Sequence, residues 1–209
     1  MARYINAVCR LCRRGGEKLF LKGTRCVTPK CAIVKRAYPP GDHGQGRRQK
    51  LSNYGLQLKE KKKAKWMYGV LERQFRRYFK IASKSKGVTS KVLLQLLERR
   101  LDNVVFRLGL GVSRAQSRQI VRHNFVYVNS KRVNIPSYLV EQGDIIQVEA
   151  KEKAMKKLRE NLELSRDRTV SSWLEFNPQE LKAKVLRLPE KEDIQQPIQE
   201  QLIVELYSK

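Results

Sequence analysis

The sequence predicts an α+β protein: a mainly helical chain that carries one small unit of antiparallel sheet plus helices and begins with a four-cysteine metal knuckle. Three observations predict it. Apolar residues recur at helical spacing between about residues 57 and 108, the pattern switches to short β-branched and aromatic runs between 125 and 149, and all four cysteines fall within the first 31 residues.

The cysteine segment comes first. Cys9, Cys12, Cys26 and Cys31 are spaced C-x2-C-x13-C-x4-C. The N-terminus has no apolar leader, so the chain reads as cytosolic, where thiols stay reduced and a disulfide framework is not expected. Two close pairs of thiolates suit tetrahedral zinc, whose binding can fold a segment too small to fold alone. An iron–sulfur cluster on the same four ligands is the alternative. Arg10, Arg13, Arg14, Lys18, Lys22, Arg25 and Lys30 surround the cysteines, and that charge suits phosphate as well as thiolate.

Residues 38–48, YPPGDHGQGRR, hold two Pro and three Gly and read as a loop. His43 lies in it as an exposed polar residue. Arg47, Arg48 and Lys50 extend the basic surface. Beyond the loop, Lys59, Lys61, Lys62, Lys63 and Lys65 precede an amphipathic helix. On its wheel Leu71, Phe75, Tyr78, Phe79 and Ala82 share one side and Arg73, Arg76, Arg77, Lys80 and Lys84 the other. The aromatic side is core. Five like charges on the opposite face repel unless something matches them.

Gly87 should end that helix, and Thr89 should cap an apolar one running through Leu93, Leu97, Leu101 and Val104 to Gly109. The most specific stretch follows. Ser113-Arg114-Ala115-Gln116 is a capping box that starts a helix, on which Arg114, Arg118 and Arg122 recur every four residues as one guanidinium stripe. Ser117, Ile120 and Val121 lie on the flank that can bury. Asn124 is a left-handed cap. Phe125–Val128 is a strand, Asn129-Ser130 a two-residue turn, and Lys131 and Arg132 lead the return. Stripe and turn together make a two-part phosphate cradle. Tyr138–Val140 and Asp144–Glu149 read as further strands, Lys151–Leu164 as a helix, Pro178 as the start of a polar helix, and Gln199–Tyr207 as a strand or a short helix.

Charge gives the class of partner. The chain of 209 residues has 45 Lys and Arg against 20 acids, a formal +25. Residues 1–90 hold 24 basic and 4 acidic residues, 91–134 hold 9 and 2, and 135–209 hold 12 and 14. A field of that size calls for a polyanion, with nucleic acid the default. No run approaches the ~18 apolar residues of a membrane-spanning helix.

The residues Ser113-Arg114, Ser117, Ile120-Val121, Val126, Val128-Asn129 and Val133 resemble the small RNA-binding motif named after small-subunit ribosomal protein four, with Asn124 and Ser130 standing where Gly is frequent. The Cys quartet, YPPGDHGQGRR, YGVLERQFRRYF, RLDNVVFRLG, VNSKRVNIPSY and QEQLIVELYSK extend the likeness in order along the chain. It is similar to the bacterial form of that ribosomal protein family, although Arg3-Tyr4-Ile5-Asn6-Ala7 lacks a frequent Gly-Pro.

The resemblance implies three parts: residues 1–44 as the metal-binding segment, 45–90 with 170–209 as a helical domain, and 91–169 as an inserted RNA-binding motif domain. It also implies a structural, non-enzymatic constituent of the small ribosomal subunit in the cytoplasm. Such a protein binds 16S rRNA at a multi-helix junction in its 5′ region, nucleates assembly of the subunit body, meets ribosomal protein five at an accuracy-linked interface, and lies near the mRNA entry channel. The expected RNA contacts are Arg3, Arg10, Arg13, Arg14, Arg47, Arg48, Lys50, Lys61, Lys62, Lys63, Arg73, Arg76, Arg77, Lys80, Ser113, Arg114, Gln116, Arg118, Arg122, Asn124, Lys131 and Arg132.

Two other classes are weaker. An RNA-modifying enzyme with this motif as an appendage needs a second, catalytic constellation, and the residues outside the motif offer none and only two His in all. A zinc-finger DNA regulator needs a reading helix at two-Cys, two-His spacing, which this knuckle lacks.

Overall fold

A computed structural model describes residues 3–46, 50–166, 168, 170–194 and 197–208. In chain order the helices are α1 (Cys9–Gly15), α2 (Ala32–Lys35), α3 (Asn53–Tyr68), α4 (Glu72–Lys84), α5 (Thr89–Glu98), α6 (Leu101–Arg107), α7 (Arg114–Arg122), α8 (Glu152–Leu164) and α9 (Glu200–Tyr207). The strands are β1 (Val126–Val128), β2 (Lys131–Arg132), β3 (Ile145–Val148), β4 (Leu174–Asn177) and β5 (Lys182–Val185). The chain forms two compact units, Met1–Leu93 with Gln196–Lys209 and Leu94–Gln195. No helix among the described residues is long and apolar enough to cross a membrane.

The first unit is helical. The Ser52 hydroxyl accepts the Gly55 N–H at 3.2 Å and starts α3. Gly69, at φ 63°, ends it in the left-handed region that glycine enters without a Cβ penalty. Phe75, Tyr78 and Ala82 on α4 are buried while Arg73, Arg76, Arg77, Lys80 and Lys84 are exposed, as the helical wheel predicts; of the other two expected core residues Phe79 is half-buried and Leu71, just before the helix, is exposed. The terminal α9 packs along α3 and sets Tyr207 against Phe79, ring centroids 4.5 Å apart. Tyr207 donates its hydroxyl to Glu72 at 2.9 Å, and Glu72 also receives Lys61 at 3.0 Å and Lys65.

That carboxylate ties three helices to one point. Burial alone would raise the Glu72 pKa, but hydrogen bonds from Lys65, Lys61 and Tyr207 outweigh it and hold it at about 2. A folded pKa below the unfolded one stabilises above the unfolded value, near ~4.3, and the contribution is lost as pH falls through the folded value. The side chain is 39% exposed, so water screens it. We therefore expect a loss of only about 1 kcal/mol between pH 5 and 2. Helix content against denaturant across that pH range checks it; Glu72→Gln should remove the Glu72 share of the slope.

The second unit is a sheet covered by helices. Among the described residues its strand order is β2-β1-β3-β5-β4, antiparallel throughout. Asn129 and Ser130 turn β1 into β2 with φ of 49° and 64°, both positive as a tight hairpin requires. Val126, Val128, Ile146, Val148, Ala183 and Val185 point inward onto Leu101, Val104, Val105, Leu108, Val121 and the fully buried Trp173. The alternating burial of β5 and β3 is the mark of a half-covered sheet.

Four expectations change. The apolar helix expected from Thr89 to Gly109 breaks at Arg100, whose ψ of 133° is extended and which bridges Leu139. Residues 138–140 consequently pair with the break, through Leu101 N to Tyr138 O and Val140 N to Arg99 O, and form no strand in the sheet. The helix expected at Pro178 is instead the turn of the β4–β5 hairpin, where Leu174, Ala183 and Val185 bury on a period of two. Residues 170–194 thus complete the sheet, and within the described C-terminal segment only residues from 197 onward belong to the helical unit. The closing segment, open between strand and helix, is the helix α9.

Gly111 seats α7. A Cβ there would stand 2.4 Å from Ser117 Oγ and 2.9 Å from Ser117 N, and a buried backbone nitrogen cannot retreat far. Gly111→Ala should destabilise the unit by about 1–3 kcal/mol, as overpacking does, with α4-face charge and net charge unchanged; a denaturant midpoint measurement checks it.

Candidate nucleic-acid interface

Helix α7 begins where the capping box places it. Ser113 Oγ accepts the Gln116 N–H at 3.3 Å, and Gln116 Oε1 reaches one residue further than the motif requires, accepting from Val112 N at 2.9 Å. Ser117, Ile120 and Val121 are buried, and Asn124 takes a φ of 64°. Asn tolerates this, so position 124 keeps its left-handed cap without Gly, while Ser130 holds the same φ of 64° without that help.

The guanidinium stripe is unequal. Arg122 is exposed. Arg118 is 6% exposed and donates to Asp102 at 3.2 Å, beside Arg100, which is fully buried and donates Nε to the same carboxylate at 3.0 Å. Arg114 donates to Asn103 at 2.9 Å and lies over the Phe106 ring, 4.4 Å from its centroid. Asn103 in turn donates to Glu98, which takes Arg107 at 2.8 Å. The sequence spacing is right, but two of the three Arg are tied into a buried ionic network whose acids are Glu98, at the end of α5, and Asp102, in α6. Their guanidinium faces are partly committed, and Arg122 is the one presented to solvent.

Elsewhere the cations divide the same way. Arg73, Arg76, Arg77 and Lys80 form an open face on α4. Lys61 meets Glu72, and Lys63, buried, meets Glu17 at 3.0 Å and Glu60 at 3.7 Å, so these two serve the helical unit first; Lys62 is half-buried. Arg3, Arg10, Arg14 and Lys50 are exposed. Arg13 donates to the Tyr38 and Pro39 carbonyls at 3.0 and 3.4 Å and holds the glycine-proline loop onto α1. Lys131 is exposed, and Arg132 donates to the Tyr127 hydroxyl at 2.9 Å. Arg47 and Arg48 lie outside the described residues.

The metal expectation is corrected. Among the described residues no group of three or more His, Cys, Asp or Glu side chains could hold a metal ion. Cys12, Cys26 and Cys31 are buried and Cys9 half-buried, all as free thiols. Burial pushes the Cys12 and Cys26 pKa values up, which favours the neutral thiol over the ligating thiolate, and Cys26 Sγ accepts the Lys22 N–H at 3.3 Å. Zinc or an iron–sulfur cluster at Cys9, Cys12, Cys26 and Cys31 is thus not supported among the described residues. With Leu11 and Leu19 these residues act as small apolar fillers.

Arg168 escapes sequence reasoning altogether. It donates to the Gly111 and Val112 carbonyls at 3.2 and 2.7 Å and covers the Phe106 ring at 4.5 Å, so Phe106 carries two guanidinium groups, from Arg114 and Arg168. A lone Arg in a polar stretch carries no periodicity that could announce this.

What the arrangement can do is bind a polyanion through the exposed basic patches of each unit. Comparison with known proteins agrees in scale. Residues 3–98 match the family model described as the ribosomal protein S4/S9 N-terminal domain, and residues 99–146 match the S4 domain. The chain is 59% identical to the small ribosomal subunit protein uS4 of Acetivibrio thermocellus, 58% to that of Pelotomaculum thermopropionicum and 57% to that of Thermodesulfovibrio yellowstonii, each over 209 residues that cover all of both chains.

Proposed function

The chain belongs to the uS4 family of small ribosomal subunit proteins, and from that premise we propose that it is a primary binder of 16S rRNA which recognises a multi-helix junction in the RNA's 5′ region. The family is one of ribosomal structural proteins in the cytoplasm and not a class of enzyme. The observation that carries the RNA reading is the α4 face, where Arg73, Arg76, Arg77, Lys80 and Lys84 are exposed directly behind a packed apolar side. Such a face is costly in isolation and is relieved by phosphate, with counterions released as it binds. The exposed Arg122, Lys131 and Arg132 add a second patch on the other unit.

On this reading the protein nucleates the body of the subunit, meets ribosomal protein five at an interface that affects decoding accuracy, and stands near the mRNA entry channel. Phosphate contacts supply affinity and the folded shape of the RNA supplies selection. The test is binding of the full chain to a 5′-region 16S rRNA transcript and to an unrelated RNA of equal length across a salt series. A preference for the transcript of a few kcal/mol that survives rising salt is expected, with a log–log slope of about −7 to −9 if ten phosphates are neutralised. Equal weakening of both RNAs would reduce the reading to unselective polyanion binding.

A further inference from the structure

We infer that the second unit holds a receptor for a single unstacked RNA base, in the cavity between α7, α8 and the start of β1. The inference rests on the RNA reading above and adds a site to it. The cavity measures about 200 Å³, below the roughly 300 Å³ at which pockets for whole drug-sized ligands begin. It therefore suits one ring system and not a nucleotide with its sugar.

Its floor is apolar, from the buried Ile120 and Leu158. Phe125 and His123, ring centroids 5.9 Å apart at 66°, make an aromatic corner. At the rim stand Gln119, His123 and Lys157, all exposed. Deeper in, Gln116 donates to Asn161 at 3.3 Å and accepts from Val112 N, and Asn161 donates to the Leu110 carbonyl, but the Gln119 amide and the Lys157 ammonium have no such partner among the described residues. Single-stranded RNA is read by this combination: an aromatic surface for the base's face, an amide that both donates and accepts for its edge, and a cation for the adjoining phosphate. Sign decides between a base and a protein side chain. None of the nine lining residues is acidic, Lys157 stands among them, and the neighbouring residue on α7 is the exposed Arg122.

The experiment is ultraviolet crosslinking of the full-length chain to the 5′-region 16S rRNA transcript, with mass spectrometry of the crosslinked peptides. Ala154, half-buried in the wall, is changed to Phe to fill the cavity without altering charge. In the parent protein we expect a crosslink at His123 or Phe125; Ala154→Phe should abolish it while weakening transcript binding only about five- to tenfold, the worth of one stacked base. Circular dichroism establishes that the variant folds; if it does not, Gln119→Ala replaces it, with the same crosslink expected to fall at least about threefold. A parent protein that binds the transcript without crosslinking there, or a crosslink that persists in the folded variant, overturns the receptor and leaves the RNA reading intact. Failure of the parent protein to bind the transcript overturns the RNA reading itself. A crosslink from these residues to a protein chain in assembled subunits overturns the inference in favour of a protein occupant.

Discussion

Asp102→Ala is expected to cost the second unit about 3–5 kcal/mol, the usual consequence of leaving buried charge without its counterion. Asp102 is 4% exposed and accepts from Arg100, fully buried, at 3.0 Å and from Arg118, 6% exposed, at 3.2 Å. Removing the carboxylate takes from two buried guanidinium groups the counterion that they share. Replacing the whole cluster with apolar residues would be far milder, because the penalty comes from the unmatched charges and not from the lost attraction. The midpoint of thermal unfolding should fall by roughly 15 °C or more for a unit of this size. Trp173 reports on it: it is fully buried in the second unit, and of the chain's two Trp the other, Trp66, lies in the first. A Trp66→Phe background therefore isolates the signal. A midpoint within about 2 °C of the parent would mean that the network is solvated and that Arg118 is available to a ligand after all.

Sequence and structure agree on the pattern of α7 and differ on what its arginines meet. Helical spacing put Arg114, Arg118 and Arg122 on one stripe, and the capping box fixed where the helix starts. Spacing says nothing about what faces the stripe, and what faces it is a carboxylate from α6, set there by the break at Arg100. That break was itself illegible, since Leu93 to Leu108 is apolar at helical period throughout and only Arg100, buried and extended, interrupts it. The β4–β5 hairpin was hidden for a related reason: Pro178 can open a helix or a turn, and the pairing of β5 with β3, some 35 residues upstream, decides between them. The amphipathic division of α4, by contrast, is legible for Phe75, Tyr78 and Ala82, because such a face needs no distant partner to declare itself; only Leu71, which precedes the helix and is exposed, departs from it fully. Cysteine spacing misled, since it counts ligand atoms and cannot show whether burial leaves them as thiols.

The contrast between the two helices shapes the second large expectation. Arg73, Arg77, Lys80 and Lys84 recur along α4 as one exposed stripe. Arg76 is better left in place, because it reaches the Tyr207 hydroxyl that joins α4 to α9. Changing the four to Gln should leave the fold intact or slightly firmer, since mutual repulsion falls and Phe75, Tyr78 and Ala82 keep their packing. Affinity for the 5′-region transcript should drop roughly a thousandfold, at about 1 kcal/mol for each charged contact. The salt slope should become shallower by about 3–4, close to one for each phosphate released. Arg122→Ala should lower the slope by about one with no loss of stability, whereas Arg118→Ala should behave as a folding variant, because it takes a partner from Asp102. If the α4 variant bound with unchanged slope, the open basic face would not be where phosphate meets the protein. The second unit would then have to carry recognition with Arg122, Lys131 and Arg132, which are too few charges to produce a slope much steeper than about −3.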